Sequence, residues 1–148
     1  MSLKAGDAAP DFDLPDDAGR RYALKDHRGK RQLLVFYPGD DTPVCTAQLC
    51  DYRDGVEEFE GLGIEVVGIS TDDAASHKRF RAKYELPFRL LVDADAAVAK
   101  AYGAHGLMGT KRAVFLVDEQ GRLAYAKVES VALFRRTREE LVAAFRKS

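Results

Sequence analysis

Two apolar, β-branched runs restrict the fold most: "QLLVFY" at 32–37 and "IEVVGIS" at 64–70. Runs of this length and composition read as buried strands. Between them lies "PVCTAQLCDYRDGVEEFEGLG", which has helical length and period. "AASHKRFRAKYE" (74–85) predicts a second helix, and "ADAAVAKAYG" (94–103) a short third with Asp93 as its cap and Gly103 as its stop. "AVFLVD" (113–118) is another buried strand, followed by the turn "EQGR" and by "LAYAKV" (123–128), which alternates like an antiparallel strand. Thr137-Arg138-Glu139-Glu140 is a capping-box pattern that opens a last helix. Strands alternating with helices give an α/β chain with a βαβ core, and the late strand pair makes the sheet mixed. Near the start, "DFDLPDDAGRRYALKD" predicts a β-hairpin around Asp17-Ala18-Gly19. "GAHGLMG" (103–109) reads as a mobile loop, because no Lys-Ser/Thr follows its glycines as in a phosphate loop.

The chain has 148 residues, which fits one domain, 1–148, around a single core. With 46% hydrophobic residues it needs neither disulfide staples nor a structural metal to fold. The net charge of −1 carries no basic excess for nucleic acid, and Arg135-Arg136 reads as solvated surface. No segment has the length of a membrane span, and the first residues lack the apolar stretch of a signal peptide. The expectation is a cytoplasmic protein whose thiols stay reduced, where a close cysteine pair is catalytic or metal-binding rather than a staple.

Both cysteines, Cys45 and Cys50, lie in "FYPGDDTPVCTAQLCDYRD". Thr42 is placed to be an N-cap and Pro43 to be N1, where its missing N–H matters least. Cys45 then falls in the first helical turn, among unpaired N–H groups at the positive end of the macrodipole, where a thiolate is favoured. A helix end supplies only about 0.3–1 kcal/mol, or ~2 kcal/mol when partly buried, which is too little to ionise most of a thiol at neutral pH. An Arg or Lys from elsewhere in the fold must supply the rest. On a helical wheel Val44, Cys45, Leu49, Tyr52, Val56 and Phe59 share the core side, while Cys50 sits about 140° from Cys45 with Arg53, Asp54 and Glu57, facing water. In an intact helix the two Cα atoms would be about 8–9 Å apart, whereas a disulfide needs less than about 7 Å. Bond formation therefore requires local unwinding, which Gly55 would ease. The competing reading makes Cys45 a small core hydrophobe and Cys50 an incidental surface residue. Zinc fits poorly, since the cysteine spacing is wrong and His27, His77 and His105 form no paired motif; each reads as a surface or loop residue.

Pro38-Gly-Asp-Asp-Thr42-Pro-Val-Cys45 matches the P-x-x-x-T-x-x-C signature of peroxiredoxins, and "VFYPGDDTPVCTAQLCDYRD" resembles their Q-type branch, the bacterioferritin comigratory proteins. The likeness extends over nearly the whole chain, through "APDFDLPDDAG", "VVGISTDD", "KAYG" and "RAVFLVDEQGRL". It implies a thioredoxin-like fold and thiol-dependent reduction of hydroperoxides. By this resemblance Cys45 is the peroxidatic cysteine and Cys50 the resolving one, the two joining as an intrachain disulfide. Pro38 and Thr42 shield and hydrogen-bond the peroxide, and Arg112 contacts the thiolate, with Lys111 as its local rival. The resemblance implies thioredoxin or a similar dithiol as reductant, no metal, haem or flavin, and a monomer or weak homodimer. Val44 stands where many relatives have Gly and Val114 where they often have Thr or Ser, which bears on unwinding and on the orientation of Arg112. A thioredoxin-like disulfide oxidoreductase, which would carry C-x-x-C, and a thiol-based redox sensor are the competing functions.

Overall fold

The computed structural model describes residues 3–107, 109–129 and 135–147. Its centre is a five-stranded sheet of β3 (Arg31–Phe36), β4 (Ile64–Ser70), β5 (Arg89–Val92), β8 (Ala113–Val117) and β9 (Leu123–Val128), in the order β5-β4-β3-β8-β9. β4 runs parallel to β3 and to β5, while β8 is antiparallel to β3 and to β9, so the sheet is mixed as the sequence predicts. Side chains alternate across it. Leu33, Val35 and Tyr37 point into one apolar cluster with Val114 and Leu116; Leu34 and Phe36 point into the other with Val67, Ile69 and Phe115. Both faces are covered, which is why the central strands read as unbroken apolar runs.

The face that carries Tyr37 and Val114 packs against α1 (Pro43–Asp54), α2 (Val56–Gly61), α3 (Ala74–Tyr84) and α5 (Arg138–Arg146), through Cys45, Leu49, Tyr52, Phe59, Phe80, Leu141 and Phe145. The other face takes α4 (Ala97–Ala101) and the N-terminal hairpin of β1 (Asp13–Pro15) and β2 (Arg21–Ala23), through Phe12, Tyr22, Val98 and Tyr102. Asp93 caps α4 at a distance, its carboxylate accepting the N–H groups of Val98 at 3.1 Å and Ala99 at 2.9 Å. The capping box of α5 forms between Thr137 and Glu140. Among the described residues, no helix is long and apolar enough to cross a membrane.

Six local expectations need correction. The helix after β3 is two helices, because the chain breaks at Gly55: a Cβ there would lie 2.2 Å from Cδ of Arg138. Val56, beyond the break, is half-buried rather than core. The strand β5 was not anticipated; "RLLV" is short, and it joins the sheet by pairing parallel to β4. "GAHGLMG" is no plain loop, since β6 (His105–Gly106) pairs with β7 (Gly109–Thr110), with Met108 outside the described residues. Arg135 and Arg136 are half-buried and ion-paired, to Asp51 at 3.3 Å and to Glu129 at 3.0 Å. Among the histidines, His77 is fully buried on α3, and His27 stacks on Tyr22 with ring centroids 4.1 Å apart. The His77 ring is received by Asp40 and Leu91, from distant parts of the chain unseen in the local sequence.

Candidate active site

The parallel β3–β4 pair fixes where the end of β3 lies, and the chain turns there through residues 38–42 into α1. Thr42 occupies the N-cap position with extended backbone (φ −85°, ψ 153°), and Pro43 is the first helical residue. The Thr42 hydroxyl makes no capping bond, however. It donates instead to the Gly39 carbonyl at 3.0 Å, closing the turn on itself. The first helical bond runs from Thr46 N–H to the Thr42 carbonyl, so Cys45 sits in the turn whose own N–H groups have no partner within the helix.

Cys45 is fully buried within the apolar cluster. Antiparallel pairing sets Ala113 opposite Phe36, so the start of β8 lies beside the end of β3. Arg112, the residue before that start, is thereby delivered to the first turn of α1. Its Nη1 donates to Cys45 Sγ at 3.2 Å and to Oε1 of Gln48 at 3.0 Å, and the residue is only 3% exposed. A guanidinium is stabilised inside a protein by anionic and hydrogen-bonding partners, and here the Cys45 sulfur and the Gln48 amide oxygen are its acceptors. The cation that the helix-end argument requires thus stands on the sulfur.

Gln48 escaped the sequence reading. It lies three residues after Cys45, on the same side of α1, and is fully buried. Its amide accepts from Arg112 and donates to the Tyr52 hydroxyl at 3.0 Å, which donates to the Arg136 carbonyl at 2.6 Å. Burial, working against a weaker lowering by the Gln48 hydrogen bond, pushes the Tyr52 phenol well up, so it remains a donor. The available signal was a polar residue at i+3 from the cysteine.

Cys50 is half-buried, not turned wholly to water, and both thiols are free. Its neighbours on α1 are anchored: Arg53 donates to the Tyr84 carbonyl at 2.7 Å, and Asp51 accepts the Arg138 N–H at 2.9 Å. Pro38, which has no N–H to offer, is exposed at the end of β3, outside the bonded group around the sulfur. Val44 is half-buried in the first turn, and Val114 is buried in β8 opposite Val35. Lys111 is exposed, and the hydrogen bond at the sulfur comes from Arg112.

Residues 5–126 match the AhpC/TSA family model. The chain belongs to the AhpC/TSA family. A relative, the chloroplastic peroxiredoxin Q of Oryza sativa subsp. japonica, is 46% identical over 126 residues; the match covers 83% of this chain but 58% of the rice protein's length. Peroxidoxin BcpB from Mycobacterium tuberculosis has a crystal structure that superposes with a TM-score of 0.89, at 30% identity, over 98% of this chain and 97% of that one. A structure of the bacterioferritin comigratory protein of Xanthomonas campestris, whose description concerns alkyl peroxide reduction activity, gives a TM-score of 0.87 at 26% identity, over 97% and 98% of the two chains. The thioredoxin-like architecture of the AhpC/TSA family accounts for the mixed sheet and the N-terminal hairpin described above.

In this AhpC/TSA chain the remaining polar cluster near the turn is Asp40, Asp72 and His77, the one group among the described residues whose ligand-type atoms lie within 4.8 Å of one another. Its atoms are already bonded to protein. Asp40 accepts from the Tyr37 hydroxyl at 2.6 Å, Ser76 Oγ at 2.8 Å and His77 Nδ1 at 2.7 Å; Asp72 accepts from the Asp40 N–H at 2.9 Å and Ser70 Oγ at 2.7 Å. This arrangement fits an ion pair, not a metal centre.

Proposed function

We propose that this chain is a thiol peroxidase that reduces hydrogen peroxide and organic hydroperoxides through Cys45, with Cys50 as its resolving partner and a thioredoxin-type dithiol as its reductant. One observation carries the reading: a buried guanidinium, Arg112, donates at 3.2 Å to a sulfur in the first turn of a helix. The names of the relatives support it.

The Cys45 thiolate attacks the terminal peroxide oxygen. The S–O bond forms as the O–O bond breaks, and the electron pair leaves on the second oxygen, which takes a proton to become water or an alcohol. Cys45 is left as a sulfenic acid. The leaving charge is met by the Nη groups of Arg112 and a first-turn N–H, joined by the Thr42 hydroxyl once it releases the Gly39 carbonyl. Gln48 and Tyr52 hold Arg112 in this position. The first turns of α1 then unwind, the Cys50 thiolate attacks the sulfenic sulfur, and hydroxide leaves as water. The resulting intrachain disulfide is reduced by exchange with a dithiol, which is oxidised in turn. We place this cycle in a thiol-reducing compartment such as the cytoplasm, in a monomer or weak dimer.

Arg112→Ala tests the reading. Charge-assisted hydrogen bonds contribute about 1.5–3 kcal/mol, so the second-order rate with hydrogen peroxide should fall roughly 10- to 150-fold. Iodoacetamide should also label Cys45 more slowly at neutral pH. Unchanged rates in both assays would remove Arg112 from the site.

A further inference from the structure

The turn that must open carries a buried ion pair which the chemistry above does not use. His77 on α3 is 0% exposed, and both its ring nitrogens face acceptors: Nδ1 meets the Asp40 carboxylate at 2.7 Å and Nε2 the Leu91 carbonyl of β5 at 2.8 Å. A carbonyl can only accept, so Nε2 carries a proton. Nδ1 then serves the carboxylate best as a second donor, which makes the ring an imidazolium. Asp40 lies in the segment between β3 and Thr42, and its side chain is 3% exposed. Its two oxygens receive Tyr37, Ser76 and His77, while its own N–H is held by Asp72. Asp40 therefore ties the turn in front of Cys45 to α3, to Tyr37 just after β3 and to the β4–α3 turn at once.

We propose that His77, through Asp40, is a positioning residue that holds the 38–42 turn closed over α1, and that losing this pair favours the open turn in which Cys45 and Cys50 join. The inference rests on the assignment of those two cysteines as the disulfide pair.

The charged groups facing His77 are Asp40 from the β3–α1 turn and Asp72 from the β4–α3 turn; the Leu91 carbonyl faces it from β5. Burial alone disfavours the imidazolium, but the hydrogen bond and charge of Asp40, helped by Leu91 and Asp72, more than offset it and raise His77 above its ordinary value. A raised folded-state value gives this sign: the pair stabilises the closed turn fully below the ordinary histidine range of about 6.5, and the effect is lost as pH rises through the raised value. Opening, and with it disulfide formation, becomes easier at higher pH for a reason separate from ionisation of Cys50.

The test compares wild type with His77→Gln. Each reduced protein is mixed with one equivalent of hydrogen peroxide and quenched with acid, and its free thiols are alkylated and counted by mass spectrometry. The ratio of the two disulfide-forming rates cancels the ionisation of Cys50. His77→Gln should form the bond faster than wild type at about pH 6, and the advantage should shrink towards unity as pH rises. A ratio of one at the lower pH, or an acceleration that does not change with pH, overturns the proposal; the second outcome is what a merely structural role would give. A wild-type measurement keeps the test alive if the variant misfolds. Linkage requires the His77 titration midpoint, read by NMR, to fall when the disulfide forms. Equal midpoints in the reduced and disulfide forms overturn the proposal. A wild type that forms no Cys45–Cys50 bond overturns the cysteine assignment as well, and is told apart by the thiol count alone.

Discussion

Cys45→Ser consumes no peroxide beyond the uncatalysed rate, although it folds. The hydroxyl is smaller than the thiol and remains a hydrogen-bonding partner for Arg112, so the buried guanidinium keeps an acceptor and the first turn of α1 keeps its Thr42–Pro43 start. What disappears is the nucleophile. An alcohol is scarcely ionised at neutral pH even beside a cation, and oxygen has no oxidation ladder from sulfenic acid onward. The effect is therefore chemical, and circular dichroism of the variant should match wild type while peroxide loss, followed by a dye assay, stays at the blank. Turnover retained by the serine variant would move the chemistry elsewhere in the chain.

Cys50→Ser separates the two halves of the cycle. Its first reaction with one equivalent of peroxide should run at the wild-type rate, because Cys50 is not among the groups bonded to Cys45 or Arg112. Steady-state turnover with thioredoxin should then be lost, since no intrachain disulfide can form. The stranded sulfenic acid at Cys45 climbs to sulfinic and sulfonic acid under excess peroxide, which mass spectrometry of the Cys45 peptide detects. Normal cycling with the same reductant would show that another group resolves Cys45.

The parts of this molecule that could be read from the sequence are those whose causes are local. β3 and β4 were legible because strands covered on both faces leave unbroken apolar runs. The start of α1 was legible because Thr42 and Pro43 are adjacent residues with fixed roles at a helix entrance. The need for a cation followed from the energy a helix end can supply. That Arg112 meets the sulfur is a matter of β8 lying antiparallel to β3, which pattern alone does not reveal; the family resemblance singled out the residue beforehand. The misses have remote causes. Gly55 stands between α1 and α2, and Arg138, far along the chain, packs where a Cβ at that position would be. Gln48 is buried because Arg112 arrives to use its amide. His77 left the expected surface because an aspartate before α1 and a carbonyl on β5 accept its two N–H groups.

The central claim of the proposed function is that a buried guanidinium, bonded to the Cys45 sulfur at the start of α1, activates that sulfur as the nucleophile. The most direct measurement is the ultraviolet thiolate absorbance of the reduced Cys50→Ser protein at neutral pH, in which Cys45 is the remaining thiol, set against the same protein with Arg112→Ala added. The account predicts a thiolate signal in the first and a large loss of it in the second. A first protein whose absorbance at neutral pH is that of an ordinary protonated thiol, or a signal that Arg112→Ala leaves untouched, would contradict it.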